Sequence, residues 1–95
     1  MQMRFEWDDN KNSANKKKHG ISFEEAVEIF DDPFHLSKLD MSFSYFEEQW
    51  ITIGQIKDKR VVVVVNLYFD TDDEEVIRII SARKATANER NQYEK

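Results

Sequence analysis

The first third of the chain begins with a pattern that predicts a short strand followed by a helix. Residues 3–7 alternate between apolar and polar side chains, as a half-buried strand does. Asp8 or Asp9 can then cap a helix that runs through Lys18, because a carboxylate accepts hydrogen bonds from the free amides of a first turn. Gly20 follows at the position where a glycine commonly ends a helix.

A second helix is predicted directly afterwards. Ser22 and Glu25 have the spacing of a capping box, in which each side chain bonds the backbone amide of the other residue. Pro33 ends this helix, because proline disfavours helical geometry at the residue before it. Apolar residues recur at helical spacing between these points and form one stripe: Phe23, Ala26, Val27 and Phe30.

Beyond Pro33 the pattern changes to that of strands. The predicted strands cover residues 34–41, 49–56, 60–69 and 76–81. The third of them is rich in valine, which is typical of a strand buried on both faces at the centre of a sheet. Short polar connections between the last three strands favour an antiparallel meander.

A final capping box, Thr86 with Glu89, predicts a short C-terminal helix towards Tyr93. We therefore expect one α+β domain over residues 1–95. In it, N-terminal helices pack on an antiparallel sheet of about four strands, and a short helix ends the chain.

Composition narrows the possible chemistry. The 95 residues include no cysteine and two histidines, so we expect neither a disulfide nor a metal site. The longest apolar run, residues 61–65, is too short to cross a bilayer, and no secretory leader is evident. A cytoplasmic protein without a membrane segment or cofactor is the expectation.

Charge is distributed unevenly along the chain, although its sum is −5. Acidic residues concentrate in residues 24–32 and 70–75. Residues 10–20 contain no acid and carry Lys11 and three consecutive lysines, and a second basic group lies near the C-terminus. Basic clusters of this kind can bind phosphates even when the net charge is negative. The members of the second group are Arg78, Arg83, Lys84 and Arg90.

Lys18 and His19 form the first candidate site, at the end of the first predicted helix. A histidine exchanges protons near neutral pH, and a neighbouring lysine can hold a phosphate. The alternative, which the residues alone favour, is that His19 only caps the helix beside Gly20.

The strand at 76–81 and the residues after it form the second candidate site. Strict alternation would place Ile77, Ile79 and Ser81 on one face, with Arg78, Ile80 and Ala82 on the other. Arg78 needs an anionic partner inside such a strand. It could form an ion pair with Glu47 or Glu48, or it could clamp a phosphate together with Arg83 and Lys84. The residues alone leave the two alternatives open.

Four aromatic residues in the middle of the chain could stack on unpaired bases. More often such residues belong to a core or a partner interface, and we favour that interpretation. They are Phe43, Tyr45, Phe46 and Trp50.

Taken together, these motifs resemble the BrnT family of toxins over nearly the whole chain. The resemblance is carried by motifs in the family's order and spacing. They are Phe5-Glu6-Trp7-Asp8, Lys11, Asn15, Lys18-His19-Gly20, Phe23, Ala26, Phe30 and Asp32-Pro33, then residues 50–54, and finally residues 78–85 with Glu89 and Tyr93.

This resemblance implies a fold similar to that of RelE and other small ribonucleases. It also implies metal-independent RNA cleavage that inhibits translation. The implied partner is a BrnA-like ribbon-helix-helix antitoxin, which would form a hetero-oligomer with the toxin and bring it to operator DNA.

The resemblance leads to an assignment of candidate roles. Catalysis would involve His19 and Glu48 as proton-transfer groups, with Arg78 and Arg83 on the phosphate; RNA binding would involve Lys18, Lys84 and Tyr93. Gln49 stands where the family often has an arginine. The alternative is therefore a catalytically weakened relative that serves as an interaction module in autoregulation.

Overall fold

The computed structural model describes residues 2–40 and 48–94. Phe43, Tyr45, Phe46 and Glu47 lie outside the described residues, so their suggested roles stay untested. The strands are β1 (Gln2–Glu6), β2 (Leu36–Leu39), β3 (Glu48–Gln55), β4 (Val61–Asp70) and β5 (Glu74–Lys84). The helices are α1 (Asp9–His19), α2 (Phe23–Ala26) and α3 (Ala87–Glu94), and a 3₁₀ segment (Val27–Asp31) continues α2.

The strands form a single sheet in the order β1-β5-β4-β3-β2. Strands β2 to β5 pair as antiparallel neighbours. Strand β1 joins the β5 edge in parallel, with Gln2 opposite Glu74 and Glu6 opposite Arg78. The predicted α+β class and the antiparallel meander are confirmed. The described sheet has five strands rather than about four, because the short N-terminal strand takes an edge position.

The valine-rich strand lies at the centre of the sheet, as its composition predicts. Val62 and Val64 face the helices and are fully buried. Val63, on the opposite face, is also buried. Because both faces of β4 are covered at this point, an uninterrupted run of β-branched residues packs well there.

A β-bulge in β5 overturns the expected alternation of side chains. Val65 pairs with Ser81, whereas the next residue, Asn66, pairs with Ile79, so Ile80 is the extra residue. One extra residue reverses the facing of everything after it. The expectation that Ala82 shares a face with Arg78 was therefore wrong. Ala82 turns towards the helices and is fully buried in the core.

Helices α1 and α2 and the 3₁₀ segment pack on one face of this sheet, which we call the helix-covered face, whereas α3 lies against the opposite face, near Val63. Phe23, Ala26 and Ile29 are fully buried against β4 and β5. Gly54 in β3 permits the closest approach, because a Cβ atom built there would lie 2.8 Å from the Ile29 Cβ. The 3₁₀ segment can therefore rest directly on the β3 backbone.

The residues that were predicted to begin and end the first two helices do so in the structure. The Asp8 carboxylate caps α1 by accepting hydrogen bonds from two amides of its first turn, and Gly20 ends the helix with a φ of 73°. Ser22 and Glu25 form the expected capping box. Only the first turn of the second helix is α-helical, and the chain then tightens into the 3₁₀ segment before Pro33.

Asn15 joins α1 to the free edge of β5. Strand β1 pairs with β5 only as far as Arg78, which leaves the backbone of Ala82 without a strand partner on that side. The buried Asn15 amide replaces that partner. Its Nδ2 donates to the carbonyls of Ala82 and Ile21, both at 2.9 Å, and its Oδ1 accepts from the Ala82 amide at 3.2 Å.

Replacing Asn15 with alanine should therefore destabilise the fold. The change removes three hydrogen bonds and leaves buried backbone groups unsatisfied, so we expect a loss of about 2–4 kcal/mol in the free energy of unfolding. Urea denaturation followed by circular dichroism measures this loss. Ser13→Ala, an exposed change on the same helix, is the control, and equal stability of the two variants would contradict the role of Asn15.

Candidate functional site

Arg60 gathers three segments at the end of the sheet where β3 turns into β4. Its guanidinium donates to Asp58 at 2.8 Å, to Glu25 of α2 at 3.0 Å and to the Gly20 carbonyl at 3.5 Å. The hydrogen bond from Arg60 lowers the pKa of Asp58. Because Gly20 follows the last turn of α1, these contacts place Lys18 and His19 at the same end of the sheet.

The last residues of β5 also lie at the end of the sheet where β3 turns into β4. Arg83 forms a two-pronged ion pair with Glu89 of α3, with N–O distances of 2.7 and 2.9 Å. Thr86 and Glu89 also form the predicted capping box, at 2.8 and 3.2 Å. The Arg83 guanidinium lowers the pKa of Glu89 to about 2. The start of α3 is thereby fixed to the end of the sheet.

A second interaction fixes the far end of α3. The Tyr93 hydroxyl donates to Asp32, which also accepts from the amides of Phe34 and Gln55, both at 2.9 Å. Burial raises the pKa of Asp32, but these three donors outweigh burial and lower it overall. Burial and the hydrogen bond to Asp32 raise the pKa of Tyr93 to about 12, so its hydroxyl stays protonated at neutral pH.

A cavity of about 530 Å³ lies between α3, the β3–β4 turn and the end of β5. Four basic side chains and two acidic ones line it. Lys84 and Arg90 form no ion pair with any side chain in the described part of the chain, whereas Arg60 is paired. The charged lining residues are Lys59, Arg60, Lys84, Arg90, Asp58 and Glu94.

The lysines of α1 add to this charge. Lys17 and Lys18 are exposed in its last turn, and Lys16 pairs with Glu25 at 3.3 Å. We call this whole region the basic end: Lys16, Lys17, Lys18, His19, Lys59, Arg60, Arg83, Lys84 and Arg90. The end of β4 and its connection to β5, at the other end of the sheet, carry Asp70, Asp72 and Asp73. Acids also lie at the basic end, where three of them pair with arginines: Glu25, Asp58, Glu89 and Glu94. The lysines of α1, with Lys84 and Arg90, therefore lie at one end of the sheet and the acidic connection at the other.

Four of the seven candidate residues from the sequence belong to the basic end, and a fifth lines its cavity. Lys18 and His19 end α1, Arg83 and Lys84 end β5, and Tyr93 lines the cavity with Lys84. The clustering of these residues follows from the fold, but their individual roles stay predictions.

The other two candidates lie elsewhere. Arg78 forms an ion pair with Glu6 at 2.8 Å, not with Glu48 as one interpretation supposed. Glu48 is opposite Tyr68, and Arg83 is opposite Val63. These positions are five residue steps apart along β4, or roughly 16 Å at 3.3 Å per residue.

Glu48 is still farther from His19, which lies beyond the other end of β3. Two groups that exchange protons with one phosphodiester must both reach it within hydrogen-bond distance. The structure therefore does not place His19 and Glu48 for a single step.

Sequence reasoning missed Lys59 and Arg60 as members of the basic end. Lys59 lies in the turn between β3 and β4, where it has a φ of 80°, and Arg60 follows it immediately before β4. The available signal was a pair of basic residues immediately before a buried strand.

Within residues 2–40 and 48–94, no group of three or more His, Asp or Glu side chains is arranged to hold a metal ion. None of the helices described is long and apolar enough to cross a membrane.

Comparison with known proteins places this chain in a defined class, the small ribonuclease toxins. Residues 7–89 match the family described as "Ribonuclease toxin, BrnT, of type II toxin-antitoxin system". This match covers most of the sequence, and the chain belongs to the BrnT family.

A solved structure agrees with the fold. The crystal structure of the Brucella abortus ribonuclease toxin BrnT is similar, with a TM-score of 0.60 and 21% sequence identity. The similarity covers 90% of this chain and 99% of the Brucella chain. No curated protein sequence matches this chain.

Acid should weaken the attachment of α3 to the sheet. The pKa of Glu89 is about 2 in the folded protein and 4.5 ordinarily, so its ionised form stabilises the fold above about pH 4.5. That contribution disappears as the pH falls from about 4.5 towards 2. Allowing for solvent screening, we expect about 1–2 kcal/mol from this group.

Unfolding of wild type and Glu89→Gln at several pH values measures this contribution. The variant should be less stable at pH 7 and should lose less stability on acidification. Glu94→Gln, an exposed change at the end of α3, is the control. Parallel pH curves for wild type and Glu89→Gln would contradict the assignment.

Proposed function

We propose that this chain is the RNA-cleaving toxin of a toxin–antitoxin pair and that its basic end binds the RNA backbone. One observation carries the proposal: cations without ion-pair partners in the described residues converge on one cavity. Lys84 and Arg90 line it, and Lys18 ends a neighbouring helix. Single-stranded RNA is bound through such grooves, because each cation replaces counterions on a phosphate.

Polarisation of charge reconciles this role with a net charge of −5. The acidic β4–β5 connection disfavours phosphates at one end of the sheet, so we expect the RNA backbone to lie at the other. Binding should therefore depend on the local potential of the basic end more than on the total charge.

The chemistry we propose is attack by a ribose 2′-oxygen on the adjacent phosphorus. A bond to phosphorus forms, and the bond to the 5′-oxygen breaks. The attacking hydroxyl loses a proton, and the leaving oxygen gains one. His19 is the candidate for one of these transfers, and nearby cations stabilise the charge that develops on the phosphate. No metal ion takes part in this scheme.

In this proposal, Arg83 acts mainly by holding α3 in place. Its ion pair with Glu89 holds α3 against the sheet, and its side chain stays partly exposed to solvent. The Tyr93 hydroxyl stays protonated and already donates its one hydrogen to Asp32, so towards RNA it can only accept a hydrogen bond.

The partner we propose is a BrnA-like ribbon-helix-helix antitoxin that forms a hetero-oligomer with the toxin in the cytoplasm. The acidic β4–β5 connection offers a surface for a basic segment of that partner. Binding would stop RNA cleavage and so relieve inhibition of translation. The toxin would meet operator DNA only through the antitoxin.

A second candidate function is an interaction module with little activity. Two observations favour it. Gln49 donates to Asp40 at 3.1 Å in place of the arginine that the family often has. Arg78 is held by Glu6, which leaves it less available to a phosphate.

Purified protein should cleave single-stranded RNA in the presence of EDTA. His19→Ala should lower the rate by about 10²-fold or more, the usual effect of removing a proton-transfer group. Lys84→Ala with Arg90→Ala should weaken RNA binding and reduce its dependence on salt, by roughly 0.7 in logarithmic slope for each phosphate that is no longer neutralised.

Lys38→Ala, an exposed change on β2, is the matched control and should keep full activity. Unchanged cleavage in His19→Ala would remove His19 from the mechanism. Absence of cleavage by the wild type, together with harmless expression in cells that lack an antitoxin, would favour the interaction module.

A further inference from the structure

A second cavity, of about 260 Å³, opens on the helix-covered face near the start of β3. Its volume is below the roughly 300–1,000 Å³ typical of drug-sized ligands, which suits a single heterocycle. Three aromatic rings, Phe30, Trp50 and Tyr68, contribute to its wall. Polar side chains complete it, and no lysine or arginine lines it among the described residues. The polar members are His35, Ser37, Glu48 and Asn66.

A chain of hydrogen bonds fixes the orientation of Asn66. The Thr52 hydroxyl donates to Asn66 Oδ1 at 2.9 Å, and it lies 2.8 Å from the Ser37 hydroxyl. Because Thr52 has one proton and gives it to Asn66, Ser37 must donate to Thr52. Asn66 is 3% exposed, and its Nδ2 donates to no acceptor among the described residues. No fully buried side-chain nitrogen of the described residues lacks a partner, so Nδ2 opens onto the cavity. The carbonyl end is thus occupied, and the amide end offers hydrogen to the cavity.

Two side chains with free hydrogen-bond acceptors line the cavity together with the Asn66 amide. Glu48 Oε1 accepts from the Trp50 indole at 3.2 Å, which leaves Oε2 available. His35 Nδ1 lies 2.7 Å from the Asp32 carbonyl. Because a carbonyl only accepts, this hydrogen bond puts the hydrogen on Nδ1 and makes Nε2 of a neutral ring an acceptor.

The donor and the carboxylate are spaced for the edge of one small molecule. Asn66 pairs with Trp50, and Glu48 pairs with Tyr68. Asn66 and Glu48 are therefore diagonal neighbours on one face, about 7–8 Å apart at their Cα atoms, a distance that long side chains can span.

We propose that this cavity binds an unpaired guanine base. Guanine presents O6 to the Asn66 amide and two adjacent donors, N1–H and N2–H, to the Glu48 carboxylate. Adenine and uracil each offer a carboxylate only one donor group on this edge. Unpaired bases of RNA are commonly recognised by aromatic stacking combined with such edge hydrogen bonds.

The surroundings favour an uncharged ring over a phosphate. Glu48 repels anions, and the described lining supplies no lysine or arginine. The Tyr68 hydroxyl donates to Glu75 at 2.8 Å, and this hydrogen bond raises the pKa of Tyr68 to about 12. Tyr68 is therefore a neutral, oriented ring at neutral pH, and stacking on such a ring strengthens binding of a base.

If the cavity selects the position at which RNA is cleaved, this inference rests on the proposed function. Binding of guanine to the cavity can be tested separately. Guanosine has no phosphate, so it probes the cavity without engaging the basic end. The titration follows the Trp50 indole and Asn66 side-chain amide signals of ¹⁵N-labelled wild-type protein by NMR. Guanosine should shift both signals, with affinity at least about tenfold above that for adenosine, uridine or cytidine.

Glu48→Gln should weaken guanosine binding about tenfold or more, because an amide cannot replace the free carboxylate oxygen. It can still accept from Trp50, which preserves the wall. Asp73→Asn, an exposed acid in the β4–β5 connection, is the control and should bind as wild type. Lys84→Ala should also leave guanosine binding unchanged.

Two results would overturn the inference: equal shifts by all four nucleosides, or no shift by any of them. If no nucleoside shifts the signals, a side chain of a protein partner becomes the alternative occupant of the cavity. RNA cleavage without base preference and without guanosine binding would refute this inference alone. Guanosine binding without RNA cleavage would refute the proposed function alone.

Discussion

The hydrogen-bond network of Asn15 is the constraint on which the arrangement of this protein depends. Strand β5 is paired with β1 over only part of its length, so its remaining backbone groups need partners, and a single amide side chain supplies them. The same side chain ties down the Ile21 carbonyl, which starts the connection to α2. The helix that carries the basic residues Lys16–Lys18 is therefore held by hydrogen bonds to the β5 backbone as well as by apolar burial. Its own apolar content is too low to hold it in place by burial alone.

Most of the fold could be predicted because it depends on interactions between residues close together in the sequence. Caps such as Asp8 and the Ser22–Glu25 box act within a few residues, and the valines of β4 report burial on both faces. The bulge at Ile80 could not be predicted, because it depends on how β5 is matched to β4. Strict alternation is the correct default for a strand and fails where the pairing gains a residue.

The site was predictable as a set of charges but not as a set of specific pairings. Clustered lysines and arginines indicated an anion-binding region, and the fold gathers five of the seven candidates at one end of the sheet. Which carboxylate each arginine meets depends on tertiary pairing. Glu6 lies opposite Arg78 only because β1 pairs with β5 in parallel. The distance between His19 and Glu48 is also set by the tertiary structure, because β3 runs the length of the sheet between them.

The parallel pairing of β1 with β5 also governs the order in which the protein can assemble. The first strand emerges from the ribosome long before its partner, since Gln2 pairs with Glu74. Asn15 likewise waits for Ala82. Pairing between segments that are far apart in sequence is slow compared with local folding. During synthesis, α1 therefore has no sheet edge to dock on until β5 has left the ribosome, and the basic end is not assembled before then. A nascent chain that has not yet reached β5 would lack the basic end.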